Sequence, residues 1–276
     1  MTEEMDVSEQ ITYSTVLIKS NVSKRKQKLG TGFIVNLCVN KETKQYFPVL
    51  ITNKHVISGS ETTELELCKR GLDGGPIDTE TITFRFKSSA WISHPDPFVD
   101  LCCVPIEHIR FWNVTPGTGC YVTFLPTELI PTKEKLKELY TFEEVLMVGY
   151  PRGMSDEYNH KPIARRGITA SHPIKDFCGK KETLLDIAMF PGSSGSPVFI
   201  FNPCFHVTNQ DYLKMERRIL LLGVAYEDCT KRENVFLSFS NKLKSIFSVK
   251  VQAHLNLALM IKSERILDFE KMFQSK

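Results

Sequence analysis

The stretch Phe190-Pro191-Gly192-Ser193-Ser194-Gly195-Ser196-Pro197-Val198-Phe199 sets a glycine-flanked serine pair directly before an apolar run of strand composition. Ser194 is the candidate nucleophile of this loop. A serine hydroxyl is a poor nucleophile at neutral pH, so the chain must also supply an imidazole base, a carboxylate to orient it and donors for a developing oxyanion. A histidine, an aspartate and a β-framework to hold them are therefore sought in the rest of the sequence.

The 276 residues are 42% hydrophobic, enough for one large domain or two smaller units sharing a core. A net charge of +3 lacks the dense basicity of a dedicated nucleic-acid binder, so no nucleic-acid partner is expected. The N-terminal Met-Thr-Glu-Glu-Met-Asp has neither the basic nor the apolar region of a secretory signal. No uncharged apolar run approaches the roughly 18 residues of a membrane span. These features lead to the expectation of a cytoplasmic protein without a membrane partner. The eight cysteines include the adjacent pair Cys102-Cys103 and no metal-type Cys/His spacing. They are expected to be buried free thiols, with no metal and no cofactor.

The base is sought among seven histidines. His55 stands out because the runs Gly30 to Val35 and Tyr46 to Thr52 read as a hairpin whose second strand leads straight into Asn53-Lys54-His55-Val56-Ile57. Asp100 opens the apolar run Leu101-Cys102-Cys103-Val104, a placement that is costly unless its carboxylate is hydrogen-bonded. Its rival, Asp96, lies between Pro95 and Pro97 and reads as turn chemistry.

Further strand-like runs occur at Tyr13 to Ser20, Thr81 to Phe86, Glu144 to Pro151, Ala164 to Ala170, Thr183 to Ala188, Ile219 to Tyr226 and Val235 to Ser238. Many short strands separated by turn signals predict an all-β barrel or sandwich. The cluster Lys24, Arg25, Lys26 and Lys28 is expected to be a solvated hairpin loop, and residues 105 to 119 the seam between two units. Pro131 to Leu139 predicts one or two helical turns. Helical spacing is also present at Asn241 to Phe247 and at Ser263 to Phe273, with Ser263 as N-cap.

Together the stretches around His55, Asp100 and Ser194 resemble the trypsin-like (chymotrypsin-fold) serine peptidases, most closely the HtrA-like branch. The resemblance spans roughly residues 12 to 240 and includes Met147-Val148-Gly149-Tyr150-Pro151-Arg152-Gly153 and Gly167-Ile168-Thr169-Ala170. It implies two six-stranded Greek-key β-barrels with the active site between them. The expected division is a tail at 1–11, a first barrel at 12–110, a second at 111–240, and a closing strand and short helix at 241–276. His55, Asp100 and Ser194 would form the triad, in the order of the worked chymotrypsin example. The N–H groups of Gly192 and Ser194 would form the oxyanion hole. By the same resemblance, Ala188 and Met189 would floor the substrate pocket and Val224, Ala225 and Tyr226 would wall it, favouring an apolar or small residue before the scissile bond.

Two departures shape the expectation. Ser193 stands where secreted trypsins carry the aspartate that pairs with a cleavage-generated N-terminus, so no zymogen processing is expected. Too few residues follow the second barrel for the PDZ module of typical HtrA proteins. The implied activity is that of a serine endopeptidase acting on peptide or protein substrates through an acyl-enzyme; the alternative is a catalytically inactive peptide- or protein-binding domain. An activating or inhibiting protein partner would act through a loosely ordered loop at Arg152 to His160.

Overall fold

The structure is a computed structural model that describes residues 5–23, 25–40, 45–107, 119–210, 213–238 and 246–274. The first half holds β1 (Thr15–Ser23), β2 (Lys26–Asn40), β3 (Gln45–Thr52), β4 (Thr62–Arg70), β5 (Pro76–Lys87), β6 (Ile92–Ser93), β7 (Cys102–Pro105), β8 (Cys120–Tyr121) and β9 (Leu125–Pro126). They form one nine-stranded sheet ordered β5-β4-β1-β2-β3-β7-β6, with β8 added on β4 and β9 on β2. The second half holds β10 (Glu144–Gly149), β11 (Ile163–Thr169), β12 (Glu182–Asp186), β13 (Pro197–Asn202), β14 (His206–Val207), β15 (Leu213–Lys214), β16 (Arg218–Ser238) and β17 (Ile246–Lys262). Six of these close a barrel in the order β10-β11-β12-β17-β16-β13. The chain is thus mostly β, as its strand periodicity predicts, and is built of two units with a short C-terminal helix, as the resemblance implies.

Alternation along the central strands explains why there are two units and one seam. Side chains of a strand point to opposite faces in turn. On β2 and β3, Phe33, Val35, Val49 and Ile51 enter one core while Ile34 and Leu50 enter another. The barrel strands divide in the same way: Val148 and Phe199 face the first of these cores, whereas Met147, Val198 and Ile200 fill the barrel interior. The core shared by Phe33, Val35, Ile51, Val148, Phe199 and Val224 therefore joins the two halves.

The C-terminal helix Leu267–Gln274 closes that shared core with Phe269, which is fully buried, and Ile266 enters it from the preceding 3-10 turn Ser263–Ile266. Burial of one such side chain contributes about 1.5–3 kcal/mol. Phe273 stacks on Phe47 of β3 with ring centroids 4.4 Å apart, so the helix rests on the first sheet although it follows the second barrel. Lys262, and not the expected Ser263, occupies the cap position, and Ser263 is buried.

Other expectations need adjustment. Residues 7–14 form the helix Val7–Ser14, where a tail and the start of a strand were expected. Asp6 caps it by accepting from Ser8 N–H at 2.7 Å and Glu9 N–H at 3.1 Å, and Ile11 and Tyr13 are buried beneath it. Of the run expected to be helical at 241–247, residues 241–245 lie outside the described residues, while Ile246 and Phe247 open β17. The expected seam lies largely outside them too, at 108–118. Among the seven described free cysteines, Cys102, Cys103 and Cys120 are buried, whereas Cys178 and Cys204 are exposed in turns rather than in strand interiors. Among the described residues, no helix is long and apolar enough to cross a membrane.

A polar cluster around buried His94 ties the turn before Asp100 to the C-terminal helix. Arg265 donates to Asp96 Oδ2 at 2.6 Å and lies 3.2 Å from Asp268 Oδ2. His94, whose side chain is fully buried, accepts from Asp96 N–H at Nδ1 (3.0 Å) and donates from Nε2 to the Arg265 carbonyl (3.0 Å). Its ring meets Phe269 edge-on at 5.3 Å. Burial pushes the His94 imidazole below its ordinary range, against the opposing pull of its hydrogen bond to the Arg265 carbonyl and, more weakly, of Asp268. The unfolded chain then binds this proton more readily, so the stability His94 contributes is complete above about pH 6.5 and is lost as pH falls. The melting temperature of the wild type should consequently drop more steeply between pH 7 and 5 than that of His94→Gln. Equal slopes in paired thermal melts would remove His94 from the account.

Candidate active site

Register brings the histidine and aspartate together. β3 pairs antiparallel with β7, with Thr52 opposite Cys102, so the residues following β3 meet those preceding β7. Just past β3, buried Asn53 donates its side-chain N–H to the Asp100 carbonyl at 2.8 Å. His55 follows in the single helical turn Lys54–Ile57. Asp100 accepts the His55 backbone N–H at Oδ1 (3.1 Å) and meets the ring Nδ1 at Oδ2 (2.5 Å). An ionised carboxylate only accepts, so Nδ1 carries the proton and Nε2 is left as the free base nitrogen. The other carboxylate, Asp96, is occupied by Arg265 and by the Phe98 backbone N–H.

The serine loop is fastened to this pair by Thr31 of β2. Thr31 N–H donates to the Ser194 carbonyl at 2.8 Å, and Thr31 Oγ1 donates to the Gly192 carbonyl at 2.8 Å. The same hydroxyl accepts Tyr150 N–H at 3.0 Å, while Thr52 Oγ1 donates to the Thr31 carbonyl at 2.7 Å. Gly195, at φ +89°, is required by this closeness: a Cβ there would lie 1.9 Å from the Thr31 carbonyl oxygen.

Peptide orientation leaves two donors exposed to the cleft. The Pro191 carbonyl accepts Arg152 N–H at 2.6 Å, and the Ser193 carbonyl accepts Ser196 N–H at 3.0 Å. In a trans peptide the C=O and the following N–H point oppositely, so Gly192 N–H and Ser194 N–H turn away from those contacts. Neither has an acceptor among the described residues. Gly192 sits at φ +94°, and a Cβ there would lie 2.5 Å from the Tyr150 carbonyl oxygen.

His55, Gly192 and Ser194 line one cleft together with Lys28, Leu29 and Arg152. Ser194 Oγ donates to the Tyr226 carbonyl at 3.4 Å, and no Ser194–His55 hydrogen bond occurs among the described residues. The structure thus pairs His55 with Asp100 and sets Ser194 in the same cleft with its hydroxyl turned toward β16. Met189, Val224 and Ala225 are buried, Val224 in the core shared by the two halves and Met189 and Ala225 in the barrel core. Ala188 and Tyr226 are half-buried.

The loop expected to be loose at Arg152 to His160 is held. Arg152 has φ +55° and places its guanidinium 5.4 Å from the centre of the Phe190 ring, which Arg165 also meets at 5.0 Å. Asp156 organises the turn by accepting from Tyr158 N–H and Asn159 N–H, each at 3.1 Å. Lys161 then anchors the loop to the first half, meeting Asp78 Oδ1 at 2.7 Å over the ring of Tyr13, whose hydroxyl donates to the same oxygen at 2.7 Å. Against the cost of burial, hydrogen bonds from Lys161 and Tyr13 hold the Asp78 carboxyl below its ordinary range. Sequence reading singled out neither Thr31 as a bridge nor Asp78 as an anchor, because each acts across more than 80 residues of chain.

The chain belongs to the trypsin-like peptidase family: the family's trypsin-like peptidase domain matches residues 30–202, which include His55, Asp100 and Ser194. Among experimental structures, the HtrA-type protease AlgW with a tripeptide is similar at 14% identity and a TM-score of 0.48, over 96% of this chain and 60% of that one. A protease from M. tuberculosis in its active form is similar at 15% identity and a TM-score of 0.47, over 93% and 78%. A serine endoprotease from Yersinia pestis is similar at 15% and 0.47, over 99% and 69%. This chain therefore spans about three fifths of the length of the first of these. No curated protein sequence matches it significantly.

Thr31→Val tests the bridge without changing side-chain shape. It leaves Tyr150 N–H buried without its acceptor, and the expected cost is about 1–3 kcal/mol, read as a lower urea midpoint at unchanged slope. An unchanged midpoint would show that the hydroxyl bears no weight.

Proposed function

We propose that this chain is a serine endopeptidase. The observation that carries the reading is the 2.5 Å contact between His55 Nδ1 and Asp100 Oδ2, beside a serine loop whose Gly192 and Ser194 N–H groups have no protein acceptor among the described residues. Rotation about its Cα–Cβ bond takes the Ser194 hydroxyl from the Tyr226 carbonyl toward His55. Catalytic hydrogen bonds are commonly long before substrate binds.

In the reaction, Ser194 Oγ attacks the scissile carbonyl carbon while His55 Nε2 takes its proton. Asp100 holds the imidazole tautomer and stabilises the imidazolium. The carbonyl oxygen becomes an oxyanion that accepts from Gly192 and Ser194 N–H, and fixed donors of this kind contribute about 10²–10³ in rate. His55 then gives its proton to the leaving amine as the C–N bond breaks. Water, activated by the same imidazole, hydrolyses the acyl-enzyme and restores Ser194. Ser193 is buried and uncharged, so assembly of the hole calls for no ammonium partner, and activity requires no N-terminal processing.

A fluorophosphonate should label the wild type and leave Ser194→Ala unlabelled. His55→Ala should lower kcat/KM on a peptide substrate by about 10⁴ or more. Its melting temperature should stay nearly constant, because the His55 side chain is about 48% exposed. Equal labelling of wild type and Ser194→Ala would leave an inactive binding domain as the function.

A further inference from the structure

The His55–Asp100 pair lies between two depressions of opposite charge, one lined by His55 and Ser194 and the other by Asp100. On the first flank, Lys28 and Arg152 line the wall beside His55, and no carboxylate lines it. Lys28 Nζ donates to the Ser58 carbonyl at 2.8 Å and Arg152 stacks on Phe190. Neither cation meets a carboxylate among the described residues, so both charges remain available to a ligand.

The second flank is a depression behind Asp100, lined by Phe98, Glu182, Tyr226 and Glu227 along with several cations. Two of those cations are neutralised. Arg265 is held by Asp96 and Asp268, and Lys181 lies 3.2 Å from both Asp176 and Glu264. Lys180 alone opposes the carboxylates Glu182 and exposed Glu227, which leaves this flank net negative. Phe98, 96% exposed, adds an apolar edge for the stem of a long basic side chain.

Strand geometry fixes the direction in which a peptide crosses the two flanks. β13 pairs with β16 only as far as Val224, and β17 takes the opposite edge through Ala225 and Glu227. From Tyr226 onward the cleft-side edge has no strand partner among the described residues, which is the condition for strand addition. Every pairing in the barrel is antiparallel. A peptide added in that sense runs from Glu227 toward Ala225, whose carbonyl accepts Gly195 N–H at 2.8 Å beside Ser194. Its acyl portion then lies over Glu227 and its leaving portion continues past Ser194 to Lys28 and Arg152.

We propose that the enzyme selects peptides with a basic residue on the acyl side of the scissile bond and an acidic residue on the leaving-group side, through Glu182 and Glu227 on one flank and Lys28 and Arg152 on the other. The inference rests on Ser194 acting as the nucleophile. Such surface pairings are individually modest and weaken with salt.

The test uses the full chain and two quenched peptides of the same composition, each with a small apolar residue before the cleaved bond, one with Lys two residues upstream of that residue and Glu downstream of the bond and one with Lys and Glu exchanged. The ordered peptide should have a kcat/KM at least about tenfold higher in low salt, with the ratio shrinking in 0.5 M salt. Lys28→Glu and Glu227→Lys should each bring the ratio down by about fivefold. Because the ratio is taken within one protein, a variant of lowered stability still reports on it. Turnover of an uncharged acyl ester serves as the control for the serine reading. Equal rates on both peptides with ester turnover intact would overturn the charge selection alone. Absence of ester turnover and of fluorophosphonate labelling would overturn both readings.

Discussion

Thr31 is the residue on which the site depends, because each of its polar groups is spent on holding the serine loop or its neighbours. Its N–H, carbonyl and hydroxyl make four hydrogen bonds of 2.7–3.0 Å, to Ser194, Thr52, Gly192 and Tyr150. The loop must lie almost on the backbone of β2 for this to occur, and only glycine at 195 permits that approach. The His55–Asp100 pair is fixed by a different rule, the register of β3 on β7. Since β2 and β3 are neighbours, one end of this central strand pair carries both constraints, and the relative placement of His55 and the Ser194 loop is settled by backbone geometry.

The three cores explain why this arrangement is rigid. Each half has a core of its own, and a third lies between them, filled from both sides by alternating positions of β2, β3, β10 and β13. Packed interiors of this kind resist small displacements because shifts open voids. The loop at 151–161 adds a second connection, fastened to Pro191 at one end and through Lys161 to Asp78 at the other. The peptide plane that aims Gly192 N–H is thus braced by residues of the first half.

What could be read from the sequence follows the range of the interactions concerned. The serine loop, His55 and Asp100 were legible because each sits at the end of a short apolar run, a local pattern. The all-β class was legible from the same runs. The N-terminal helix was also written locally, as Asp6 followed three residues later by Glu9, a signal passed over when residues 1–11 were read as a tail. Met189, Val224 and Ala225 were assigned to a pocket through resemblance, and that all three are buried in the cores became visible only from the packing of distant strands. Lys28 could not be told from its neighbours Arg25 and Lys26 in the sequence. Their surroundings across the cleft, contributed by residues more than 100 positions away, set it apart.

The C-terminal segment gives the molecule an order of events. His55, Asp100 and Ser194 all precede β17, which closes the barrel, and the helix that brings Phe269 into the shared core. Arg265, which braces the turn leading to Asp100, lies later still. A chain emerges from the ribosome N-terminus first, at about 5–20 residues per second. The nascent chain therefore exposes His55, Asp100 and Ser194 seconds before the strand and helix that complete the barrel and the shared core exist, and their mutual placement waits until synthesis has passed residue 269.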